Sequence, residues 1–426
     1  MNRFHTINRL IAVFSAAVML LLLLSGCSGT ATPSSSADST QPVATADPGQ
    51  TSSQDPSSPS TTEDLGEIVK RSVYTVDDLT IDDPRLDQVV ATCGDQTMTN
   101  RRFQIYYCMQ YFNFMNQYGS YAYYFGLDTS KPFSEQASVQ EGLTWEQFFA
   151  ESAVDQFRQF GAVTEKAKAE GFDFSEEERK MLQDSLDDLE SSAQAAGYDS
   201  ADAYIQASFG ATVNAEAYKA FMQDYYYIMA YENKLYNSIS WTDEDLQEYF
   251  ENHKENYDGL PTDQTNINVR HILIKAEDMD SDGQTSEDEK AAARTKAQEL
   301  LETWKENPTE ENFAALASEH TADGGSKSSG GLYENVYPGQ MVQAFNDWCF
   351  DASRQSGDTG IVETEYGFHI MYFVADTGEY QWKIEAQKDY TNDRMVTMLT
   401  EITEAYPTEV NYEALILAPL PKPEEE

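Results

Sequence analysis

At Ile267 the spacing of the apolar residues changes, and no single layer of structure suits both sides of the change. Upstream, segments such as TWEQFFAESAVDQFRQFGAVTEKAKAEGF repeat their apolar residues at intervals of three and four, the mark of helices with one buried face. Downstream, INVRHILIK and TGIVETEYGFHIMYF are short, β-branched and aromatic, and Gly-rich turns bound them. The expected fold class is α+β: a mostly helical domain, then a smaller one ordered strand, helices, strand, helix, two strands.

In the helical part, VVATCGDQTMTNRRF reads as a strand, a Gly-Asp turn and a second extended piece, with Asn100 as the cap of the first helix. SEEERKMLQDSLDDLESSAQAAG opens with a Ser-x-x-Glu capping box, and two further helices carry the region to about residue 257. The aromatic residues between positions 103 and 125 read first as packing core, and second as an exposed cleft for unfolded clients. In the smaller domain, residues 286–307 form a helix ended by Pro308, and Thr309 starts another through Phe313, Leu316 and Ala317. A last helix, near residues 384–406, is expected to pack back on the helical region.

The 426 residues suffice for two or three domains without disulfide staples. With 73 acidic against 28 basic residues and a net charge of −45, nucleic acid is excluded as a partner. Residues 10–24 are an apolar run behind a basic start, shorter than the roughly 20 residues of a membrane span but suited to a signal peptide. Leu24-Ser25-Gly26-Cys27 resembles the bacterial lipobox, which implies cleavage before Cys27 and a lipid on its sulfur. Residues 28–63, rich in Ser, Thr and Pro, read as a disordered tether averaging roughly 30–35 Å end to end. Cys93, Cys108 and Cys349 sit among apolar neighbours as buried thiols do, although a Cys93–Cys108 bridge stays open.

The chain holds five histidines, and two of them, His271 in VRHILIK and His369 in YGFHIMYF, stand inside apolar strands where a polar ring is costly. The motifs around them come in a fixed order: VRHIL, FAALASEHTAD leading into a loop that ends GGL, then GQMVQAF and TEYGFHI. In these motifs the segment 267–378 resembles the parvulin family of peptidyl-prolyl cis-trans isomerases. The resemblance implies a four-stranded antiparallel sheet with surrounding helices, over a domain of residues 264–378. It also implies that His271 and His369 lie side by side, with Asp323 where parvulins carry Asp or Cys, and that Thr364 bonds into the histidine network. Leu332, Met341 and Phe345 would line the pocket for the proline ring, and Tyr366 would touch substrate from the adjacent turn. The stretch GGLYENVYPGQM departs from the family's Gly-Gly-Asp-Leu-Gly pattern and reads as one residue longer.

Amide resonance opposes rotation about an X-Pro bond by about 18–20 kcal/mol, and no bond is broken, so the chemistry calls for no nucleophile and no cofactor. It calls for an apolar grip on the ring and a polar group that favours the twisted amide over the planar one. Asp323, held by the histidines, is assigned that second role.

A separate motif, DMDSDGQTSEDE at residues 278–289, fits the D-x-D-x-D-G-x5-E calcium loop. Asp278, Asp280, Asp282, Gln284 and Glu289 would be the ligands of a structural calcium ion. A strand instead of a helix enters this loop and Glu289 also fits a capping box, so a plain solvated acidic loop is the equal alternative. Its carboxylates would repel a phosphorylated residue before proline, which implies unmodified substrates.

The whole layout is a signal peptide over 1–27, a tether over 28–63, a helical chaperone-like domain over 64–258, the parvulin segment, a returning helix over 380–410 and a tail over 411–426. It resembles the extracytoplasmic foldases of the PrsA and SurA type. That likeness implies a lipid-anchored isomerase on the outer face of a bacterial cell membrane, acting on unfolded or newly secreted proteins with X-Pro bonds. The alternative is a non-catalytic holdase that binds clients through its aromatic helical domain.

Overall fold

In the computed structural model the described residues are 74–277 and 285–420. The signal segment with Cys27, the tether, and Asp278, Asp280, Asp282 and Gln284 of the acidic loop lie outside them. Strands β1 (Tyr74–Thr75), β2 (Val89–Cys93) and β3 (Gln96–Thr99) come first. Helices α1 (Asn100–Tyr118), α2 (Trp145–Ala169), α3 (Glu176–Ala195), α4 (Ala201–Phe209), α5 (Ala215–Ser238) and α6 (Asp243–Asn252) follow. Next are β4 (Ile267–Ile274), α7 (Glu287–Lys305), α8 (Glu310–His320), β5 (Leu332–Val336), α9 (Gln343–Cys349), β6 (Thr359–Thr364) and β7 (Gly367–Asp376). The order closes with α10 (Gln381–Ala405), β8 (Thr408–Val410) and β9 (Ile416–Leu417). The fold is α+β, and it divides into two compact units, one ending at Ser238 and resuming at Met395, the other Ile239–Arg394.

The first unit is built on α1, α2 and α5, whose aromatic residues meet edge to face. The Tyr106 ring lies 6.3, 6.0 and 5.2 Å from those of Phe157, Phe160 and Phe221. Residues after α10 return to this unit as strands: β8 pairs antiparallel with β2, and β9 pairs parallel with β1. The cap of α1 is Thr99, whose Oγ1 accepts from the Arg102 amide at 3.3 Å, and not the expected Asn100. Asn100 is buried, and its side chain instead ties distant backbone, donating to the Arg85 and Ala414 carbonyls and accepting from the Ile416 amide. The aromatic segment is core in its first part and exposed in its second. Phe103, Tyr106, Tyr107 and Tyr111 are core, whereas Tyr121, Tyr123 and Tyr124 stand 65 %, 60 % and 70 % exposed. Cys93, Cys108 and, in the other unit, Cys349 are buried free thiols.

In the second unit α6 packs through Phe250 against Tyr257 and Trp382, with ring centroids 5.4 and 4.6 Å apart. The expected domain boundary at residue 258 thus falls inside this unit. Its sheet has the order β5-β4-β7-β6, antiparallel throughout. Alternation along the strands divides the core in two. Ile272, Ile274, Phe368, Ile370 and Tyr372 face Trp304 of α7 and Phe313 and Ala317 of α8. Val269, Met371 and Phe373 face the other way, against Phe345 and Cys349 of α9. Both faces of β4 and β7 are therefore covered, which is why these strands read as near-continuous apolar runs.

Gly331, ahead of β5, fixes how closely that strand approaches β4. Its φ is +74°, its carbonyl accepts from the His271 amide at 2.9 Å, and a Cβ there would lie 2.3 Å from the His271 carbonyl oxygen. Gly331→Ala is expected to destabilise the second unit by about 2 kcal/mol or more. A urea midpoint equal to that of the unaltered protein would contradict this.

Candidate active site

The register of the central strands places His271 opposite Met371 and His369 opposite Leu273, so the two histidines are diagonal neighbours on one face of the sheet. Their rings stack 5.2 Å apart at 19°, with Nδ1 to Nδ1 at 3.0 Å. They are only 3 % and 5 % exposed. Phe345 closes over both, edge to face, at 5.5 and 5.4 Å. His271 Nε2 lies 3.0 Å from Asp323 Oδ2. The loop carrying Asp323 is fixed to β4 through Thr321, whose Oγ1 accepts from the amides of Leu273 and Asp323 at 3.0 and 3.1 Å. At the other end Thr364 Oγ1 lies 2.8 Å from His369 Nε2 and accepts from the Tyr366 amide at 3.1 Å.

Protonation follows from these neighbours. Burial works against ionisation of Asp323, but hydrogen bonds from Ser326, His271, Tyr333 and the Gly325 amide outweigh it and hold the carboxyl well below its usual range. Burial lowers His271, with Asp323 opposing. Burial and then the neighbouring His271 lower His369 to about 4. Asp323 is therefore a carboxylate and both imidazoles are neutral at neutral pH. A carboxylate only accepts, so His271 donates from Nε2 and must accept at Nδ1; His369 then donates from Nδ1 and accepts at Nε2 from the Thr364 hydroxyl. One proton order satisfies the whole chain, and it ends on Asp323 Oδ2. Of this oxygen pair, Oδ2 receives His271, Ser326 and Tyr333, whereas Oδ1 receives the Gly325 amide at 3.2 Å. The Asp323 side chain is 20 % exposed, so the buried network presents its charge to solvent there.

Residues 255–391 match the family model for the PPIC-type PPIASE domain, the peptidyl-prolyl isomerase domain of parvulins. The chain carries a parvulin domain. Foldase protein PrsA 1 of Listeria innocua is 30 % identical over 112 residues, covering 26 % of this chain and 31 % of that protein. Foldase protein PrsA of Clostridium botulinum strain 657 is 25 % identical over 207 residues, covering 47 % and 49 %. The chain thus spans less than half the length of these curated relatives. The crystal structure of PrsA from Bacillus subtilis aligns over 64 % of this chain and 92 % of its own, at 20 % identity and a TM-score of 0.28.

Within the parvulin domain, the structure brings His271, His369, Asp323 and Thr364 into one network and sets Phe345 over it. Met341 is half-buried against the same apolar cluster as Phe345. Tyr366, 55 % exposed, occupies the turn between β6 and β7. Leu332 does not join them. The register pairs it with Arg270, and Arg270 also pairs with Tyr372 on the face covered by α7 and α8. Tyr333 stands on the histidine face in its place, its ring 5.3 Å from that of His271 and its hydroxyl donating to Asp323 Oδ2 at 2.9 Å. Counting two residues from the Gly330-Gly331 pair, where the family pattern has leucine, finds Tyr333 directly; the extra residue inferred from sequence hid it. Ser326 was also missed, and its Oγ donates to the same carboxylate oxygen. Glu289, the described member of the acidic loop set, accepts at Oε2 from the Ser286 amide and hydroxyl at 2.8 and 2.9 Å, as the N3 residue of the α7 capping box.

Proposed function

We propose that this chain is a peptidyl-prolyl cis-trans isomerase that assists the folding of secreted proteins outside the cytoplasm. The observation that carries the proposal is the ionised carboxyl of Asp323, 20 % exposed at the end of a neutral hydrogen-bond chain whose two imidazoles lie under Phe345. Resonance in a planar amide places charge on the carbonyl oxygen, and twisting removes it. A fixed carboxylate next to that oxygen disfavours the planar form more than the twisted one, which is the difference that accelerates rotation. In this reading Phe345 and Met341 hold the proline ring, Tyr366 contacts the chain beside it, and Asp323 acts on the amide. The buried His271 and His369, with the half-buried Thr364 at their far end, orient it.

The relatives' names support the foldase role, and Leu24–Cys27 with residues 10–24 supports attachment to the outer face of the membrane by a lipid on Cys27. Among the described residues no helix is long and apolar enough to cross a membrane. The reaction needs no cofactor; the loop of Asp278, Asp280, Asp282, Gln284 and Glu289 is either a structural calcium site or a plain solvated acidic loop, and Glu289 serves as the N3 residue of the α7 capping box. A second reading, a holdase, is favoured by the exposed Tyr121, Tyr123 and Tyr124. The test is NMR exchange on an unmodified X-Pro peptide beside light scattering of an unfolded client. Faster exchange is expected; suppressed scattering with unchanged exchange would leave the holdase reading alone.

The site also sets a pH limit. His369 is lowered to about 4, so between its ordinary value of 6.5 and that point the unfolded chain takes up a proton that the folded one refuses. Stability contributed by the neutral ring is complete above pH 6.5 and declines as pH falls toward 4. Isomerase activity is expected to be level from pH 8 to about 6 and to fall with a midpoint near 4. A midpoint between pH 6 and 7 in the kcat profile would contradict the neutral pair.

A further inference from the structure

We infer that Tyr333 is a positioning residue for the isomerase reaction, acting through Asp323: its hydroxyl holds Oδ2, while Oδ1 accepts from the Gly325 amide, and so fixes the carboxylate for the substrate. The inference rests on the isomerase reading above and extends it to a residue outside the histidine network.

Three independent features of the chain converge on this side chain. The first is backbone. Val269 pairs with Tyr333 and Ile267 with Val336, so β5 contains an extra residue between two rows that β4 spans in a single alternation. That residue sits at a bulge where Asn335 has a φ of +53° and its amide donates to Asn268 Oδ1 at 2.9 Å. Bulges of this kind re-aim side chains, and here both Tyr333 and Val336 point to the face of Phe345 and Met371. Without the extra residue one of the two would point away.

The second is the partner. Asp323 Oδ2 is already bonded to His271 and Ser326, and the phenol completes a set of three donors on one oxygen. Three donors from β4, β5 and the loop between α8 and β5 fix the carboxylate plane, so rotation about its χ2 would break all of them together. Burial and the adjacent carboxylate push the Tyr333 phenol up to about 12, which keeps it a donor across the working pH range. The third is location. The ring is half-buried against the apolar cluster that contains Phe345 and carries Met341, and its hydroxyl bonds the charge of Asp323, so one side chain joins the two. A proline ring held by Phe345 and Met341 would press on the residue that aims the carboxylate.

The test is a double-substitution cycle on the full chain, with X-Pro exchange as the readout. Tyr333→Phe keeps the ring and removes the donor. It is expected to lower kcat about tenfold, the worth of one hydrogen bond to a charged group, with KM within about twofold. In an Asp323→Asn background the same change is expected to cost less than about twofold, because the charge it aims is already gone. Unchanged kcat for Tyr333→Phe, or an equal tenfold cost in both backgrounds, would overturn the inference. If Tyr333→Phe fails to fold, Tyr333→Leu, which keeps an apolar wall, is measured in the same cycle with the same two criteria. If Asp323→Asn alone leaves exchange at the rate of the unaltered protein, the isomerase assignment of Asp323 falls first and the inference with it.

Discussion

Replacing Asp323 with alanine is expected to lower kcat/KM on an X-Pro peptide on the order of 100-fold, the scale of removing one preorganised electrostatic group from an active site. The fold should survive the change. The side chain is 20 % exposed, and of the donors it leaves behind the most deeply buried, His271 Nε2, has Ser326 Oγ within reach at 3.3 Å. Thermal unfolding and exchange should therefore separate: a melting temperature within a few degrees, and catalysis nearly gone. Asp323→Asn keeps the acceptor oxygen for the three donors but removes the charge, so its activity should lie between the two. Equal exchange by all three proteins would show that the carboxyl does not act on the amide. A large fall in melting temperature would show instead that the network is chiefly structural.

The second large effect lies in the helical unit and concerns stability. Glu232 on α5 is 6 % exposed and its Oε1 makes no hydrogen bond, while the Gln159 side chain partly offsets the cost of charging it. Burial raises its carboxyl from 4.5 to about 7. The folded unit then holds a proton that the unfolded chain releases, so this contribution is complete below pH 4.5 and lost as pH rises through 7. The cost of ionisation amounts to roughly 2–3 kcal/mol between pH 5 and pH 8. Glu232→Gln carries no charge to bury, and it is expected to retain at pH 8 most of the stability that the unaltered chain loses. Urea unfolding of both proteins at the two pH values measures this directly. Parallel pH dependence in the two would mean that another group carries it.

Much of the parvulin domain could be read from its residues because a short, near-continuous apolar run bounded by turns marks a strand buried on both faces. His271 and His369 stood out as polar rings in apolar runs, and their register across β4 and β7 brings them together. The Ser175 and Ser286 capping boxes were equally legible, since they are local. Failures came where a single residue's direction depends on distant backbone. The bulge in β5 decides whether residue 332 or 333 faces the histidines, and it is held by Asn268 on another strand. Asn100 looked like a cap, but its amide serves chain segments more than three hundred residues away. Glu232 gave no signal at all: in MAYENKLY it reads as an ordinary polar position on a helix, and only packing against α2 buries it.

Side-chain 15N NMR of the two buried imidazoles at pH 7 tests the central claim most directly, that a neutral pair delivers its hydrogen bonds to an ionised Asp323. Two neutral rings are expected at pH 7, His271 protonated at Nε2 and His369 at Nδ1, with the His369 pattern persisting down to about pH 5. A charged ring at pH 7, or His271 protonated at Nδ1, would mean that Asp323 is not the acceptor at the end of the chain.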